Sequence, residues 1–397
     1  MDLKTNIQEL AAGYYQEVLT IRRHIHQNPE LSFEEVNTSA YVKQKLDEWG
    51  VAFTDGYVKT GIVAKIEGKN PEKRVIALRA DMDALPIVEE NSVEYKSNNK
   101  GVMHACGHDV HTASLLGTAR ILCELKEHFE GTVLLVFQPA EEKLPGGAKL
   151  MLEEGALKNP KPELIIGQHV MPGLEVGKVG FRPGMYMAST DEIYLTIKGK
   201  GGHAAMPHQL IDTVLITSHI IVALQQVVSR NAFAAVPTVL SFGKVDAPGA
   251  TNVIPPEVKV AGTFRTMNEE WRYEAHQKIT KIASTVAESM GATCEVNIMI
   301  GYPSLINNEE ITREATQFAQ EILDEDNVVQ LDLRMTAEDF AYFSQEIPST
   351  FYRLGVTDKA GKLTSPLHSP TFNVDEKALE TGMKTMAYAA IRFLNKD

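Results

Sequence analysis

The chain has 397 residues, of which 44% are hydrophobic, and it carries a formal net charge of −13. This length corresponds to roughly two or three ordinary domains, and the composition is that of a globular protein with a large core rather than a disordered one. The acidic charge argues against nucleic acid or an anionic membrane as a partner, because both require a basic face. A small anionic substrate remains compatible, since it needs only a local cation.

The three cysteines, Cys106, Cys123 and Cys294, are odd in number and far apart. This usage argues against a disulfide framework and fits a reducing compartment. The N-terminus shows no apolar segment of the signal-peptide type, and no apolar run approaches the roughly 20 residues that span a bilayer. We therefore expect a cytoplasmic protein.

The first part of the chain alternates helices with short apolar runs. Apolar residues at helical or strand spacing predict helices over residues 3–28, 34–49, 111–129 and 148–153, and strands over 61–66, 75–78, 132–137 and 164–166. His24 and His26 lie in the last turn of the first helix. We interpret them as structural, because a helix C-terminus favours cationic side chains.

Polar residues stand where several of these predicted strands end. In open α/β sheets, active sites lie beyond the carboxyl ends of the strands. We therefore expect the polar residues at these ends to meet at one edge of the sheet. They are Asp81, Asp83, Glu141, Glu142 and His169.

The pattern changes between about residues 182 and 300. It predicts strands over 192–198, 238–244, 257–264 and 293–298, and helices over 211–230 and 269–290. This βαββαβ order indicates a small α+β domain, residues 182–300, inserted into a larger one. The larger domain, residues 1–181 and 301–397, is expected to be an α/β domain with a central, mostly parallel sheet between helices. In the C-terminal part of this domain, the sequence predicts helices and short strands over residues 309–323, 340–345, 351–354 and 375–394.

The stretch from Met103 to His111 concentrates three imidazoles, a thiol and a carboxylate beside Gly107, which lets the backbone bend tightly. Cysteine, histidine and carboxylate are the ligands that zinc and its first-row neighbours accept. Cys106 and His108 stand two apart, so both side chains can converge on one ion at a turn. A polar loop with an incidental thiol is the alternative, and so is a catalytic thiolate at Cys106. The crowding of ligands favours a metal site.

Glu141 and Glu142 follow a predicted buried strand, where two bare carboxylates would repel each other and lose hydration. A metal resolves this conflict if one carboxylate binds it and the other takes a proton-transfer position beside water whose pKa the ion lowers. Five protein ligands exceed one tetrahedral site with an open position, so two metals that share ligands fit better. The candidate ligands are Cys106, His108, Glu142, His169 and His368.

Other catalytic motifs are weak or absent. The run from Gly199 to Ala204 matches a dinucleotide fingerprint loosely, but Pro207 interrupts the helix that should follow, and no acidic residue stands about 20 residues further on. The chain has neither the G-x-S-x-G of serine hydrolases nor the H-E-x-x-H of zincins.

Along nearly its whole length the chain resembles the metallopeptidase M20 family. Within that family it is most similar to the amidohydrolase branch, which includes hippurate hydrolases and N-acyl-L-amino acid amidohydrolases. The motifs that carry the resemblance are RRHIHQNPELSFEE, RADMDALP, MHACGHDVHTA, FQPAEE, GQHV, GKGGHAAMPH, TNVIP, GTFRT, AEDFAYF and LHSPTFN. The peptidases of the family carry a histidine where this chain has Asp81, and Cys106 is characteristic of the amidohydrolase branch.

The resemblance implies roles for the same residues. The five candidate ligands would bind two divalent ions per subunit, with Zn²⁺ or Mn²⁺ expected first and Co²⁺ or Ni²⁺ also compatible. Glu141 would be the general base, and Asp83 would orient the metal ligands. The inserted domain would be a lid and dimerisation domain, which implies a homodimer.

The resemblance also implies the substrate contacts and the reaction. His203, Asn252 and Arg265 would contact substrate, with His203 reaching the active site of the partner subunit and helping to hold the oxyanion. Arg265 would pair with the carboxylate of an amino acid, which a planar guanidinium suits. The implied reaction is hydrolysis of N-acyl-L-amino acids, such as N-acetyl or N-benzoyl compounds, by metal-activated water.

Two alternatives remain at this stage. A dipeptidase or aminopeptidase of the same family would act on a free α-amino group and should offer a carboxylate to bind it. A metal-binding module without catalysis would need no base, so Glu141 argues against it. The preferred acyl group and amino acid are left open by the sequence.

Overall fold

The computed structural model describes residues 2–396. The chain forms two compact units. The first contains residues 2–184, 306–333 and 339–396, and the second contains residues 185–305 and 334–338. Each unit is described by itself below.

The helices are α1 Leu3–Gln27, α2 Val36–Glu48, α3 His108–Glu124, α4 Gly147–Glu153, α5 Thr213–Gln226, α6 Glu269–Ser289, α7 Glu309–Leu323, α8 Ala341–Glu346 and α9 Ala378–Leu394. The strands are β1 Ala52–Tyr57, β2 Gly61–Glu67, β3 Val75–Asp81, β4 Thr132–Gln138, β5 Leu164–Glu175, β6 Val179–Phe181, β7 Gly184–Met187, β8 Asp191–Lys198, β9 Gly202–His203, β10 Thr238–Asp246, β11 Val253–Ile254, β12 Glu257–Thr266, β13 Thr293–Ile300, β14 Leu305–Asn307, β15 Val328–Gln330 and β16 Ser349–Thr357.

The first unit is built on an eight-stranded sheet in the order β1-β2-β4-β3-β5-β16-β6-β15. Its centre, β4-β3-β5-β16, is parallel throughout. The pairs β1-β2, β2-β4 and β16-β6 are antiparallel, and β6 pairs parallel with the edge strand β15. Every residue of β4 is buried, as expected for a strand covered on both faces. The predicted α/β domain with a mostly parallel central sheet is confirmed.

Helices α1, α3 and α9 pack against one another and, through α3 and α9, against β3. Residues 108–119 of α3 are all buried, so this helix lies inside the core rather than on its surface. The helix therefore presents its first turn, which begins at His108, to the interior of the unit.

Two boundaries differ from the sequence prediction in a way that matters for the site. Helix α3 begins at His108 instead of residue 111 and ends at Glu124, because Gly107 in the left-handed conformation turns the chain into the helix three residues earlier. Strand β5 continues to Glu175 instead of ending at residue 166, because β16 pairs with it well beyond that point. His169 therefore lies within a strand and not in a loop after it.

The second unit has an antiparallel sheet in the order β10-β12-β8-β13. Strand β8 alternates buried and less buried residues, and its inward side chains pack in one core with α5 and α6. Together these elements give the predicted βαββαβ α+β arrangement.

Residues Thr213–Asn231, which include α5 and the π-helical turn after it, form a helical stretch of 19 residues with a mean hydropathy of 1.2. Its length and composition would allow it to cross a membrane, contrary to the expectation from sequence. One such helix is weak evidence for a membrane span, because core helices of globular proteins can have the same length and composition.

Candidate metal centre and active site

The first unit brings all five candidate ligands together. Cys106 Sγ lies 3.5 Å from His169 Nε2. The carboxylate oxygen Oε1 of Glu142 lies 3.2 Å from His368 Nε2 and 4.0 Å from His108 Nε2. Residues 103–108, 139–142 and 368, remote in sequence, therefore meet beside β5.

Gly107 shapes the turn that presents Cys106 and His108. Its φ is +82°, a conformation that favours glycine, and a Cβ there would lie 2.5 Å from Val170 Cγ2. The backbone of the loop thus approaches β5 as closely as it can. No larger residue fits between the two ligands without moving one of these segments.

Asp83 joins two of the stretches that carry candidate ligands. Its Oδ1 accepts from His108 Nδ1 at 3.1 Å, and its Oδ2 accepts from the Ser32 hydroxyl at 2.6 Å and from Glu142 N at 3.0 Å. The bond to His108 fixes the ring and directs Nε2 away from Asp83, as histidine ligands in metal sites require. Burial opposes ionisation of Asp83, but the bonds from His108 and Ser32 lower its pKa below the usual value.

His169 is oriented in the same manner by a backbone carbonyl. Its Nδ1 donates to Val170 O at 2.7 Å, which leaves Nε2 as a lone-pair donor facing Cys106. Burial, aided by the nearby Arg353 and His111, lowers the pKa of His169 well below its usual value. The ring is therefore neutral, the form that binds a metal.

The electrostatics disfavour Cys106 as a free nucleophile. Burial, followed by the charges of Glu142 and Glu141, raises the pKa of the Cys106 thiol well above its usual range. A nucleophilic cysteine needs a lowered pKa, and the surroundings of Cys106 shift its pKa in the opposite direction. A thiolate at this position requires a bound cation.

Two of the buried polar atoms that lack a well-formed hydrogen bond belong to candidate metal ligands. Among residues 2–396, His108 Nε2 and Glu142 Oε1 are buried without a hydrogen bond of good geometry. Buried polar atoms are nearly always paired, so such an exception needs an explanation. Donor atoms within 4.8 Å of one another occur in the groups Cys106/His108/His169, Cys106/Glu142/His368 and His108/Glu141/Glu142. The donor set of thiol, imidazole and carboxylate fits divalent first-row metals.

Glu141 lies beside these donors in a different environment. It is buried, and its Oε1 accepts from Asp339 N at 3.3 Å. This bond directs one carboxylate oxygen toward the backbone of the loop before α8. The two adjacent glutamates are thus held by different partners.

The model for peptidase family M20/M25/M40 matches residues 77–392 of this chain. The chain belongs to the M20/M25/M40 family. As an M20 protein it is an enzyme that hydrolyses amide bonds. The family membership inferred from sequence is confirmed.

Relatives at high coverage support this assignment. The N-acyl-L-amino acid amidohydrolase of Geobacillus stearothermophilus is 43% identical over 77% of this chain and 82% of its own length. The thermostable carboxypeptidase 1 of Saccharolobus solfataricus is 38% identical over 99% of this chain and 98% of its own length. The crystal structure of the Bacillus subtilis YXEP protein, described as a dinuclear metal binding peptidase from the M20 family, superposes with a TM-score of 0.84. It is 34% identical and covers 97% of this chain and 100% of its own.

The three candidate substrate residues of this M20 chain all lie in the second unit. His203 and Asn252 are exposed and close together, since β9 pairs with β11 and Ala204 N donates to Asn252 O. Arg265 lies on β12, partly buried, and its Nη1 donates to Met335 O at 3.1 Å. His203 and Asn252 therefore lie on one part of that unit and Arg265 on another.

Several residues that hold the M20 site together were missed by sequence reasoning. Arg79 is fully buried and donates to Gln138 Oε1 at 2.7 Å, to Asp81 Oδ2 at 2.6 Å and to Asp339 Oδ1 at 3.0 Å. This network joins the ends of β3 and β4. The signal in the sequence that could have identified this network is a charged or amide residue in strands that are otherwise apolar, namely Arg79 in β3 and Gln138 in β4.

Glu35 was also missed, although it lies in one of the motifs that carry the resemblance. It is completely buried, and Oε1 accepts from Ala140 N at 2.8 Å, directly before Glu141. Ala140 has a φ of +52°, an unusual conformation for a residue with a side chain. Glu35 therefore holds the loop of Glu141 and Glu142 in a conformation that the chain does not favour by itself.

Proposed function

We propose that this enzyme hydrolyses the amide bond of N-acyl-L-amino acids, such as N-acetyl or N-benzoyl compounds, to a carboxylic acid and a free amino acid. The observation that carries the proposal is the buried carboxylate of Glu141, which lies beside the candidate metal donors and accepts a hydrogen bond from Asp339 N. A relative named N-acyl-L-amino acid amidohydrolase, at 43% identity, supports the substrate class.

Two divalent ions are proposed for the site, with Zn²⁺ or Mn²⁺ favoured and Co²⁺ or Ni²⁺ compatible. Cys106, His108, Glu142, His169 and His368 would hold them. Bound there, such ions polarise a carbonyl and lower the pKa of a water molecule. The solved M20 relative described as dinuclear supports the number of ions.

Glu141 is the proposed general base. Its carboxylate accepts the proton of the attacking water and returns it to the departing amine nitrogen. The N–H of Asp339 donates to one oxygen of Glu141 and so helps to orient the carboxylate. Asp83 acts through His108 and the backbone of Glu142, and it fixes both without touching the substrate.

The second unit is proposed to be a lid and dimerisation domain of a cytoplasmic homodimer. Arg265 is proposed to pair with the substrate carboxylate, since its guanidinium is always charged and suits planar recognition. His203 and Asn252 are proposed to contact the substrate, with His203 supplied by the partner subunit and helping to hold the oxyanion.

Matched variants of the two glutamates test the mechanism. Glu141→Gln should keep wild-type metal content while kcat falls about 10²-fold or more, because only the base is lost. Glu142→Gln should lose or weaken a metal. Equal metal loss in both variants would show that the roles are misassigned. Full turnover by rigorously metal-free protein would refute the whole mechanism.

A substrate screen separates the proposal from its closest competitor. A carboxypeptidase among the relatives, at 38% identity over nearly the whole chain, makes peptide hydrolysis the second candidate. N-acetyl, N-benzoyl and longer N-acyl amino acids should be compared with free dipeptides, each with Zn²⁺, Mn²⁺, Co²⁺ and Ni²⁺. Higher kcat/KM on free dipeptides with every metal would favour the peptidase, and no turnover of any amide would favour a non-catalytic metal-binding module.

A further inference from the structure

His111 is the third imidazole of the Cys/His stretch, and the proposed mechanism does not use it. It lies one turn into α3 and is 1% exposed. Its donor atoms lie within 4.8 Å of those of Asp81 and His108, so proximity alone would also allow a metal at this position. The hydrogen bonds of the ring decide between these roles.

One ring nitrogen of His111 is bound to Asp81. His111 Nδ1 lies 2.6 Å from Asp81 Oδ1, and Arg79 donates to the other oxygen of the same carboxylate at 2.6 Å. An aspartate held by a buried arginine is an ionised acceptor. Nδ1 therefore carries the hydrogen and donates it to Asp81.

The other nitrogen of His111 accepts from the main chain of β5. Val170 N donates to His111 Nε2 at 2.8 Å. The pairing of β5 with β3 ends at Gly167, and the buried N–H of Val170 meets the imidazole instead of a strand carbonyl. Buried backbone donors require such a partner. Because Nε2 uses its lone pair here, the ring is in the neutral Nδ1–H form.

The contrast with His108 is informative because the two rings are neighbours, with centroids 5.4 Å apart. His108 also gives its Nδ1 to an aspartate, but its Nε2 has no hydrogen bond. Both nitrogens of His111 are engaged. Nε2 of His108 is therefore open to a metal, whereas Nε2 of His111 is already engaged by Val170 N.

We propose that His111 is a positioning residue and not a metal ligand: it clamps β5 to the end of β3 so that His169 faces Cys106. The clamp runs from Arg79 through Asp81 and His111 to the backbone immediately after His169. It acts where Gly107 already allows the loop to approach Val170 with no room for a Cβ. This inference deepens the proposed metal site and rests on it.

Three variants separate the two ends of the clamp. His111→Gln places an amide oxygen near the position of Nε2 and can still accept from Val170 N. His111→Asn places an amide nitrogen near Nδ1 and can still donate to Asp81, but is too short to reach Val170. Thr118→Val is the matched control, because it removes a buried hydrogen bond of the same helix away from the clamp, the one from Thr118 to Ser114 O.

The first measurement uses metal-free protein and no substrate. Imidazole ¹⁵N shifts of histidine-labelled protein should show a neutral Nδ1–H tautomer that disappears in His111→Gln. Hydrogen exchange of the Val170 amide should accelerate in His111→Asn and remain near wild type in His111→Gln. A cationic ring or the Nε2–H tautomer at His111 would overturn the proposal, and this result is independent of whether the enzyme cleaves N-acyl amino acids.

The second measurement is metal binding, by competition of Zn²⁺ or Mn²⁺ with a chromophoric chelator. His111→Asn should bind about tenfold more weakly than wild type, the usual size of an effect transmitted through a partner of a ligand, with the number of ions at saturation unchanged. His111→Gln should recover most of the affinity, and Thr118→Val should lower thermal stability without this loss of affinity.

Loss of one ion in both His111 variants would make His111 a ligand and refute the clamp. Equal affinities of both variants and wild type would refute it as well. Should His111→Asn fail to fold, the nitrogen shifts of wild type and the affinity of His111→Gln still decide the matter. Failure of the proposed function has a separate signature, namely wild-type protein that binds no ions or cleaves no amide.

Discussion

The carboxyl group of Glu35 offers a quantitative test of how the catalytic loop is held. Oε1 accepts from Phe33 N and Ala140 N, both at 2.9 Å or less, and Oε2 accepts from the Thr60 hydroxyl at 2.9 Å. Burial, and then the charge of Asp83, raises the pKa of Glu35 from 4.5 to about 7. We therefore expect Glu35→Gln, which keeps an acceptor for the loop and removes the charge, to behave differently from Glu35→Ala.

The sign of the pH dependence follows from the direction of this shift. In the folded, metal-free protein the carboxyl of Glu35 keeps its proton up to about pH 7, whereas in the unfolded chain it releases it near 4.5. The contribution of this proton to stability is complete below pH 4.5 and is lost as the pH rises through 7. Linkage with these two pKa values gives a loss of roughly 2.5 kcal/mol between pH 5 and pH 8.

Glu35→Gln does not titrate and should escape this loss. Its melting temperature, measured on metal-free protein, should rise relative to wild type by a few degrees as the pH increases from 5 to 8. Glu35→Ala should be destabilised at every pH by about 1–3 kcal/mol for each buried donor left unpaired. Its kcat should also fall, because Ala140 precedes the proposed base.

The control is Glu154→Gln, which removes an exposed carboxylate that also accepts a backbone N–H, from Val58. A constant difference in melting temperature between Glu35→Gln and wild type from pH 5 to pH 8 would refute the reasoning. The reasoning would also be refuted if the difference in melting temperature between Glu154→Gln and wild type grew in the same way from pH 5 to pH 8. The effect would then reflect the loss of any carboxylate rather than of a buried one.

Other outcomes follow from the same site. Cys106→Ser should retain metal more weakly under dialysis, because a hydroxyl is a poorer ligand than a thiolate; unchanged metal content, with covalent turnover intermediates at wild-type Cys106, would favour a thiol nucleophile. Arg265→Lys should raise KM roughly tenfold for substrates with a free carboxylate but not for their amides; equal effects on both would exclude carboxylate pairing. His203→Ala and Glu141→Gln homodimers should be nearly inactive, while mixed dimers regain one active site; inactive mixed dimers would exclude action across subunits.

Features that depend on local pattern could be predicted from the amino-acid sequence. The fully apolar run of β4 predicted a strand covered on both faces, because no polar residue in it can face water. The Cys/His stretch predicted a metal site, because its potential ligands lie within nine residues of one another. The helix and strand order after residue 182 likewise predicted the second unit, since each period is read from neighbouring residues.

The tertiary structure decided which polar groups meet across long separations in sequence. The bond of Glu35 to Ala140 N joins residues 105 positions apart, and the bond of His111 to Val170 N joins residues 59 apart. The sequence around Glu35 does not distinguish it from a solvated glutamate. The sequence around His111 does not distinguish it from a further metal ligand beside Cys106 and His108. Their roles arise because folding buries a backbone donor beside each of them, and a buried donor takes whichever acceptor the neighbouring segments supply. Even the length of β5, and with it the setting of His169, depends on pairing with β16, in which the partners Gln168 and Tyr352 are 184 positions apart.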